Sequence, residues 1–102
     1  MQDLIQVKKS PIHGKGLFAK TAIPSGTHIG NYEGEETYED GAYVLWCYDE
    51  EDELFGIDGK NSLRFTNHSS SPNAIFRGDE LWTLREISPG EEITFDYGEE
   101  WA

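Results

Sequence analysis

Basic residues are scarce in this chain: 8 Lys and Arg stand against 20 Asp and Glu, a formal net charge of −12 over 102 residues. Gripping a phosphate backbone takes Lys and Arg, so direct nucleic-acid binding is not expected. Cysteine occurs once, as Cys47; that excludes an internal disulfide framework and fits a reducing, intracellular compartment. Three scattered histidines and one cysteine give no spacing typical of a structural zinc site, and no metal is expected. No apolar run approaches the length of a membrane span and no signal-peptide pattern opens the chain, so no membrane partner is expected. Internal repeats, linkers and low-complexity tracts are also missing, and residues 1–102 read as a single domain.

What is present suffices for a compact globule, with 36% hydrophobic and 13% aromatic residues. The apolar residues fall in short runs rather than at helical spacing. Residues 4–9 read as a strand ended by Ser10-Pro11, residues 13–16 as a turn, and Leu17-Phe18-Ala19 as a short apolar piece. Ile23-Pro24-Ser25-Gly26-Thr27 is a second turn, and residues 28–33 a strand carrying Ile29 and Tyr32. Residues 43–48 are β-rich in residue type, and 54–59 form another strand and turn. Residues 74–77 and 80–84 flank Gly78-Asp79 as a hairpin, and 87–95 turn into a final strand. Many short strands between Gly and Pro turns predict a mostly-β fold.

The acids are unevenly spread. Ten lie between Glu33 and Glu53, a span without Lys or Arg. A solvated surface that keeps a small protein soluble would look like this. So would a field that attracts a basic peptide and raises its encounter rate in a salt-dependent way. Composition does not choose between them.

Two strings are unusual: Arg64-Phe65-Thr66-Asn67-His68-Ser69-Ser70-Ser71-Pro72-Asn73-Ala74, and Glu91-Glu92-Ile93-Thr94-Phe95-Asp96-Tyr97-Gly98. A hydrolase reading of Asn67-His68-Ser69 is poor, because adjacent residues of an extended segment point to opposite faces. The Gly-x-Ser-x-Gly elbow is absent as well. A polar turn with hydrogen-bonded Asn and His is the plainer reading. Gly14-Lys15-Gly16 lacks the third glycine of a dinucleotide fingerprint and by itself is a turn. Tyr97 by itself is a core tyrosine on a terminal strand.

Taken together and in order, these segments resemble the signatures of the SET-domain protein lysine methyltransferases. Residues 22–27 and 32–35 resemble the family's intervening blocks, so the likeness runs from Gly14 to Gly98. The resemblance implies a β-clip-like fold of several short curved sheets with a knot-like C-terminal crossing. It also implies S-adenosylmethionine as cofactor and a lysine-bearing basic protein or peptide tail, such as a histone, as substrate. Gly14, Lys15 and Gly16 would meet the cofactor's methionine end through their backbone. Asn67 would bind its amino-acid portion, and the His68 backbone its adenine. Tyr43 matches a tyrosine that contacts the cofactor in some relatives, and equally suits a core. Tyr32 and Phe95 would line a channel for the lysine, and Tyr97 would position and polarise the amine as the catalytic residue. Phe where some relatives carry a phenol implies room for more than one methyl transfer. Arg64 would anchor the first string by hydrogen bonds.

The pattern departs from the family in places. Ser70 stands where many relatives have cysteine, and the stretch between Tyr43 and Arg64 is short. Many histone-directed members continue into a Cys-rich zinc segment that roofs the channel. No such segment occurs up to Ala102, so Trp101, packing on adenine or channel mouth, or a second subunit in a homodimer is expected to close the site. Two rivals stay open: a catalytically silent module that holds a basic tail, and an acidic interaction protein working through residues 33–53.

Overall fold

The structure, a computed structural model, describes residues 4–12, 14–41 and 43–96. Among these described residues, ten strands and one 3-10 turn follow one another. They are β1 (Ile5–Lys9), β2 (Lys15–Ala19), β3 (His28–Asn31), β4 (Gly34–Thr37), β5 (Val44–Tyr48), β6 (Leu54–Gly59), a 3-10 turn (Ser62–Phe65), β7 (Asn67–His68), β8 (Ala74–Arg77), β9 (Glu80–Thr83) and β10 (Glu92–Phe95). They build three small sheets in the orders β1-β2-β10-β7, β3-β9-β8 and β4-β6-β5. The mostly-β expectation therefore holds, and its several small sheets are those expected.

Where side chains alternate, the strands are legible from residue type. Gly78 supplies the φ of +62° that the two-residue β8–β9 turn needs at its first central position. Below the sheets, Leu17, Ile23, Ile29, Leu81, Ile87 and Ile93 are completely buried and bring the β1-β2-β10 and β3-β9 layers onto one core. Each such side chain contributes about 1.5–3 kcal/mol by leaving water. Ile23 and Ile87 also exchange both backbone hydrogen bonds, at 2.9 Å each, which ties the two Pro-Gly-type turns together.

Three local readings are corrected. Gly16 is not in the turn but inside β2, paired with Lys8. Strand β4 was not expected, because its Gly34-Glu35-Glu36 is exposed and shows no apolar alternation. The 3-10 turn was not expected either; it places only Leu63 in the core.

The crossing that positions the site is at the C-terminal end. β10 enters between β2, to which it is antiparallel, and β7, to which it is parallel, with Thr94 beside Asn67 and Phe95 beside His68. Asn73, 2% exposed, holds the loop beneath it. Its Nδ2 donates to the Glu92 carbonyl at 2.8 Å, and its Oδ1 accepts the Thr94 N–H at 2.9 Å. The two unusual strings are thus neighbouring strands of one sheet.

Candidate active site

On one side of β10 a polar group converges. Asn67 Nδ2 donates to the Lys15 carbonyl at 3.1 Å and to Glu92 Oε2 at 2.9 Å. Ser10 Oγ lies 2.9 and 2.8 Å from the two Glu92 carboxylate oxygens. The carboxylate sits directly over Gly16: a Cβ built there would be 2.3 Å from Glu92 Oε2 and 3.0 Å from Ser10 Cβ. Glycine is needed at 16 for this close approach. Gly14, by contrast, lies in a turn at φ +44° with open space where a Cβ would be. His68 Nδ1 faces Asp96 Oδ1 at 3.7 Å.

On the other side the lining is aromatic. Tyr32, Phe76 and Phe95 form a chain of edge-to-face contacts, with centroids 5.7 and 4.8 Å apart. The Tyr32 hydroxyl donates to the Tyr43 carbonyl, which also accepts the Gly59 N–H at 2.9 Å. Tyr43 packs edge-on to Phe65 at 5.9 Å, and the Arg64 guanidinium lies 4.2 Å over the Phe65 ring. Arg64 Nη1 donates to the carbonyls of Lys60 at 2.8 Å and Asn61 at 3.0 Å. The Lys15 ammonium approaches the same Phe65 ring at 5.8 Å, which joins the polar and aromatic sides.

Two cavities share this lining. A small one of about 30 Å³ is bounded by Tyr32, Tyr43, Leu63, Thr66, Phe76 and Phe95 among others. A wide groove of about 550 Å³ runs beside it, sharing Val44, Leu45, Phe76 and Phe95. Strands β5 and β8, each at an edge of its sheet, contribute to its walls. Asp40 and Asp96 also line it. Cys47 lines it too, and burial together with the Asp79 charge pushes its thiol up to about 11.

The structure thus brings Lys15, Gly16 and Asn67 together at the polar group, with His68 next along β7. It brings Tyr32, Tyr43 and Phe95 to one cavity. Gly14 stays in the turn that precedes β2, with open space rather than the polar group where its Cβ would be. Tyr97 and Trp101 lie outside the described residues. Sequence reasoning missed Ser10, Glu92, Phe65 and Phe76 as parts of the site. Phe65 and Glu92 were inside the two strings, but nothing in residue type alone marks a carboxylate that will lie over a glycine. Phe76 carried only the signal of a strand residue.

Residues 14–98 match the SET domain, and the chain belongs to that family. Among relatives, human histone-lysine N-methyltransferase 2B is 33% identical over 118 residues, an overlap of 94% of this chain and 4% of that protein. The histone-lysine N-methyltransferase MEDEA of Arabidopsis thaliana is 31% identical over 113 residues, covering 91% of this chain and 16% of that protein. The chain therefore spans only a small part of the relatives it matches. The solved methyltransferase domain of human histone-lysine N-methyltransferase SETMAR superposes with a TM-score of 0.82 at 25% identity, over 99% of this chain and 46% of that one. The methyltransferase domain of human PR domain-containing protein 2 shares the fold, with a TM-score of 0.78 at 22% identity over 98% of this chain and 81% of that one. The fold is that of SET methyltransferase domains, and the family is one of transferases that use S-adenosylmethionine.

Proposed function

We propose that residues 1–102 form one SET domain that transfers methyl groups from S-adenosylmethionine to a lysine ε-amine of a basic protein or peptide tail, such as a histone or histone-like protein. The observation that carries this reading is the placement of β10. One strand puts a polar cradle of Gly16, Asn67 and Glu92 on one side and an aromatic cavity of Tyr32, Phe76 and Phe95 on the other.

The donor set fits the cofactor. A side-chain amide, a carboxylate and the adjoining β2 and β7 backbone suit a zwitterionic amino-acid end, and the Tyr43–Phe65 pair offers apolar surface for a base. Gly14, Lys15, Gly16, Tyr43, Asn67 and His68 would hold it, with Trp101 as a further contact. When bound, S-adenosylmethionine supplies an electrophilic methyl group on a sulfonium.

The rest of the task falls to the chain's own residues. A lysine at pH near 7.4 is charged, and neutralising it costs roughly 4 kcal/mol from its reference pKa of about 10.4. The aromatic walls around Tyr32, Phe76 and Phe95 disfavour the ammonium by excluding water. Transfer also needs the amine in line with the methyl group, a positioning task that these walls would serve. Tyr97, two residues beyond Phe95, is the hydroxyl we assign to orient that amine. The groove between β5 and β8, with Asp40 and Asp96 on its walls, is where a basic segment would lie. The acids of residues 33–53 give it an attractive field. Phe95, at a position where some relatives carry a phenol, would leave room for a second methyl.

Calorimetric titration of S-adenosylmethionine tests the reading, with Asn67→Ala beside wild type and a screen of basic peptides for methyl transfer. Saturable binding that the variant loses, followed by transfer to a peptide, supports it. Absence of binding to wild type, even with a basic peptide present, would leave an acidic binding module as the better account.

A further inference from the structure

Glu92 belongs to the polar cradle, and its half-buried carboxylate is the hub of the hydrogen bonds there. Among the described residues, its side-chain partners donate to it. Ser10 Oγ accepts the Ile12 N–H at 2.9 Å, so its own hydrogen is directed to the carboxylate, which it reaches at 2.8 Å. Asn67 Nδ2 donates to the same carboxylate. The other partner of that Nδ2 is the Lys15 carbonyl, which can only accept. Two acceptors on one side therefore fix the amide: its NH₂ faces β2 and β10, and its carbonyl oxygen is turned the other way. Gly16 provides the space that lets the carboxylate reach this position, since any Cβ would meet Glu92 Oε2 at 2.3 Å.

We propose that Glu92 is a positioning residue that sets the orientation of the Asn67 amide, so that its carbonyl is presented to the ammonium of the cofactor's amino-acid portion. This rests on the cofactor reading given above. The ordered chain runs from the Ile12 N–H through Ser10 to the carboxylate and then to Asn67. It links the first hairpin to the two signature strands. The nearby carboxylate also adds a negative charge suited to an ammonium.

Glu92→Gln is the informative change, because it keeps size but replaces one acceptor oxygen by a donor. Ser10 and Asn67 both donate to Glu92 Oε2, so in glutamine these charge-assisted bonds become neutral ones and the Asn67 amide is held less firmly. Two ligands separate positioning from general damage: S-adenosylmethionine, and 5′-methylthioadenosine, which has the nucleoside but no amino-acid portion. Calorimetry on the 102-residue chain should show S-adenosylmethionine weakened about tenfold or more, the loss of one charge-assisted hydrogen bond, with methylthioadenosine within about twofold of wild type. Ser10→Ala, which leaves the charge in place, should weaken S-adenosylmethionine less, in the same selective way. It carries the test if Glu92→Gln does not fold by circular dichroism.

Equal weakening of both ligands would mean that Glu92 is merely structural and would overturn the proposal. So would unchanged affinity for S-adenosylmethionine in a folded variant. If wild type itself binds neither ligand, the cofactor reading falls and this inference with it, an outcome distinct from the other two.

Discussion

The contact between Tyr32 and Gly59 permits a quantitative test of the aromatic cavity. Tyr32 is 7% exposed, and its ring lies against the backbone of β6. A Cβ at Gly59 would stand 2.5 Å from Tyr32 Oη, 2.6 Å from Cζ and 2.8 Å from Cε2. Those atoms belong to a rigid ring wedged against Phe76, so the side chain has no cheap way to move. The φ of Gly59 is not in the left-handed region, so alanine there meets steric crowding rather than backbone strain. Overpacking of this kind costs about 1–3 kcal/mol. Moving the ring also breaks the Tyr32 hydroxyl bond to the Tyr43 carbonyl, about 1 kcal/mol more. Gly59→Ala should therefore destabilise the domain by about 2–4 kcal/mol and lower Tm by at least about 8 °C.

The assay is thermal unfolding by circular dichroism on four proteins: wild type, Gly59→Ala, Tyr32→Leu and the double variant. If the clash is with the ring, leucine at 32 relieves it, and the double variant should be more stable than the two single costs add up to. A coupling of at least about 1 kcal/mol is expected for residues in direct contact. Strict additivity, or a Gly59→Ala Tm within about 3 °C of wild type, would refute the placement of Tyr32 on β6 and with it the described lining of the cavity.

Two further outcomes follow from the charges. Cys47 is 4% exposed with its thiol held near 11, so at pH 8 it should react with a disulfide reagent much more slowly than in unfolded protein; comparable rates with and without urea would contradict its burial. Glu91 is held down to about 2, first by hydrogen bonds from Arg85 and then by the Ser88 N–H, so the stability it contributes is present above the ordinary carboxylate range and is lost as pH falls toward 2. Arg85→Met should thus lower stability in urea slightly at pH 6–7, with the difference shrinking toward pH 2; a difference that does not change with pH would count against the pair.

How much of this was readable in advance depends on whether a residue acts through its type or its address. Short runs such as Ala74-Ile75-Phe76-Arg77 announced a strand because they flank Gly78-Asp79, and the pleat then buries Ala74 and exposes Ile75; Gly78 announced the turn because the turn needs its φ. The signature strings announced the family because their order is unusual, and they led to Asn67 and Phe95. Strand β4 was invisible for the opposite reason. Gly34-Glu35-Glu36-Thr37 is held by its ladder to β6, and Gly34 is required there only because a Cβ would lie 1.9 Å from the Asp58 carbonyl oxygen. Such a requirement exists only after the two strands meet. Glu92 is the same case at the site. In a chain with 20 acids, one more glutamate carries no mark. It differs from Glu91, its neighbour, because a parallel strand brings Asn67 to it and a distant hairpin brings Ser10 and Gly16. Glu91, one residue earlier, faces Arg85 and the Ser88 N–H instead. Two identical side chains in sequence thus take unrelated roles, because Glu91 closes the turn that begins at Ser88 and Glu92 opens β10.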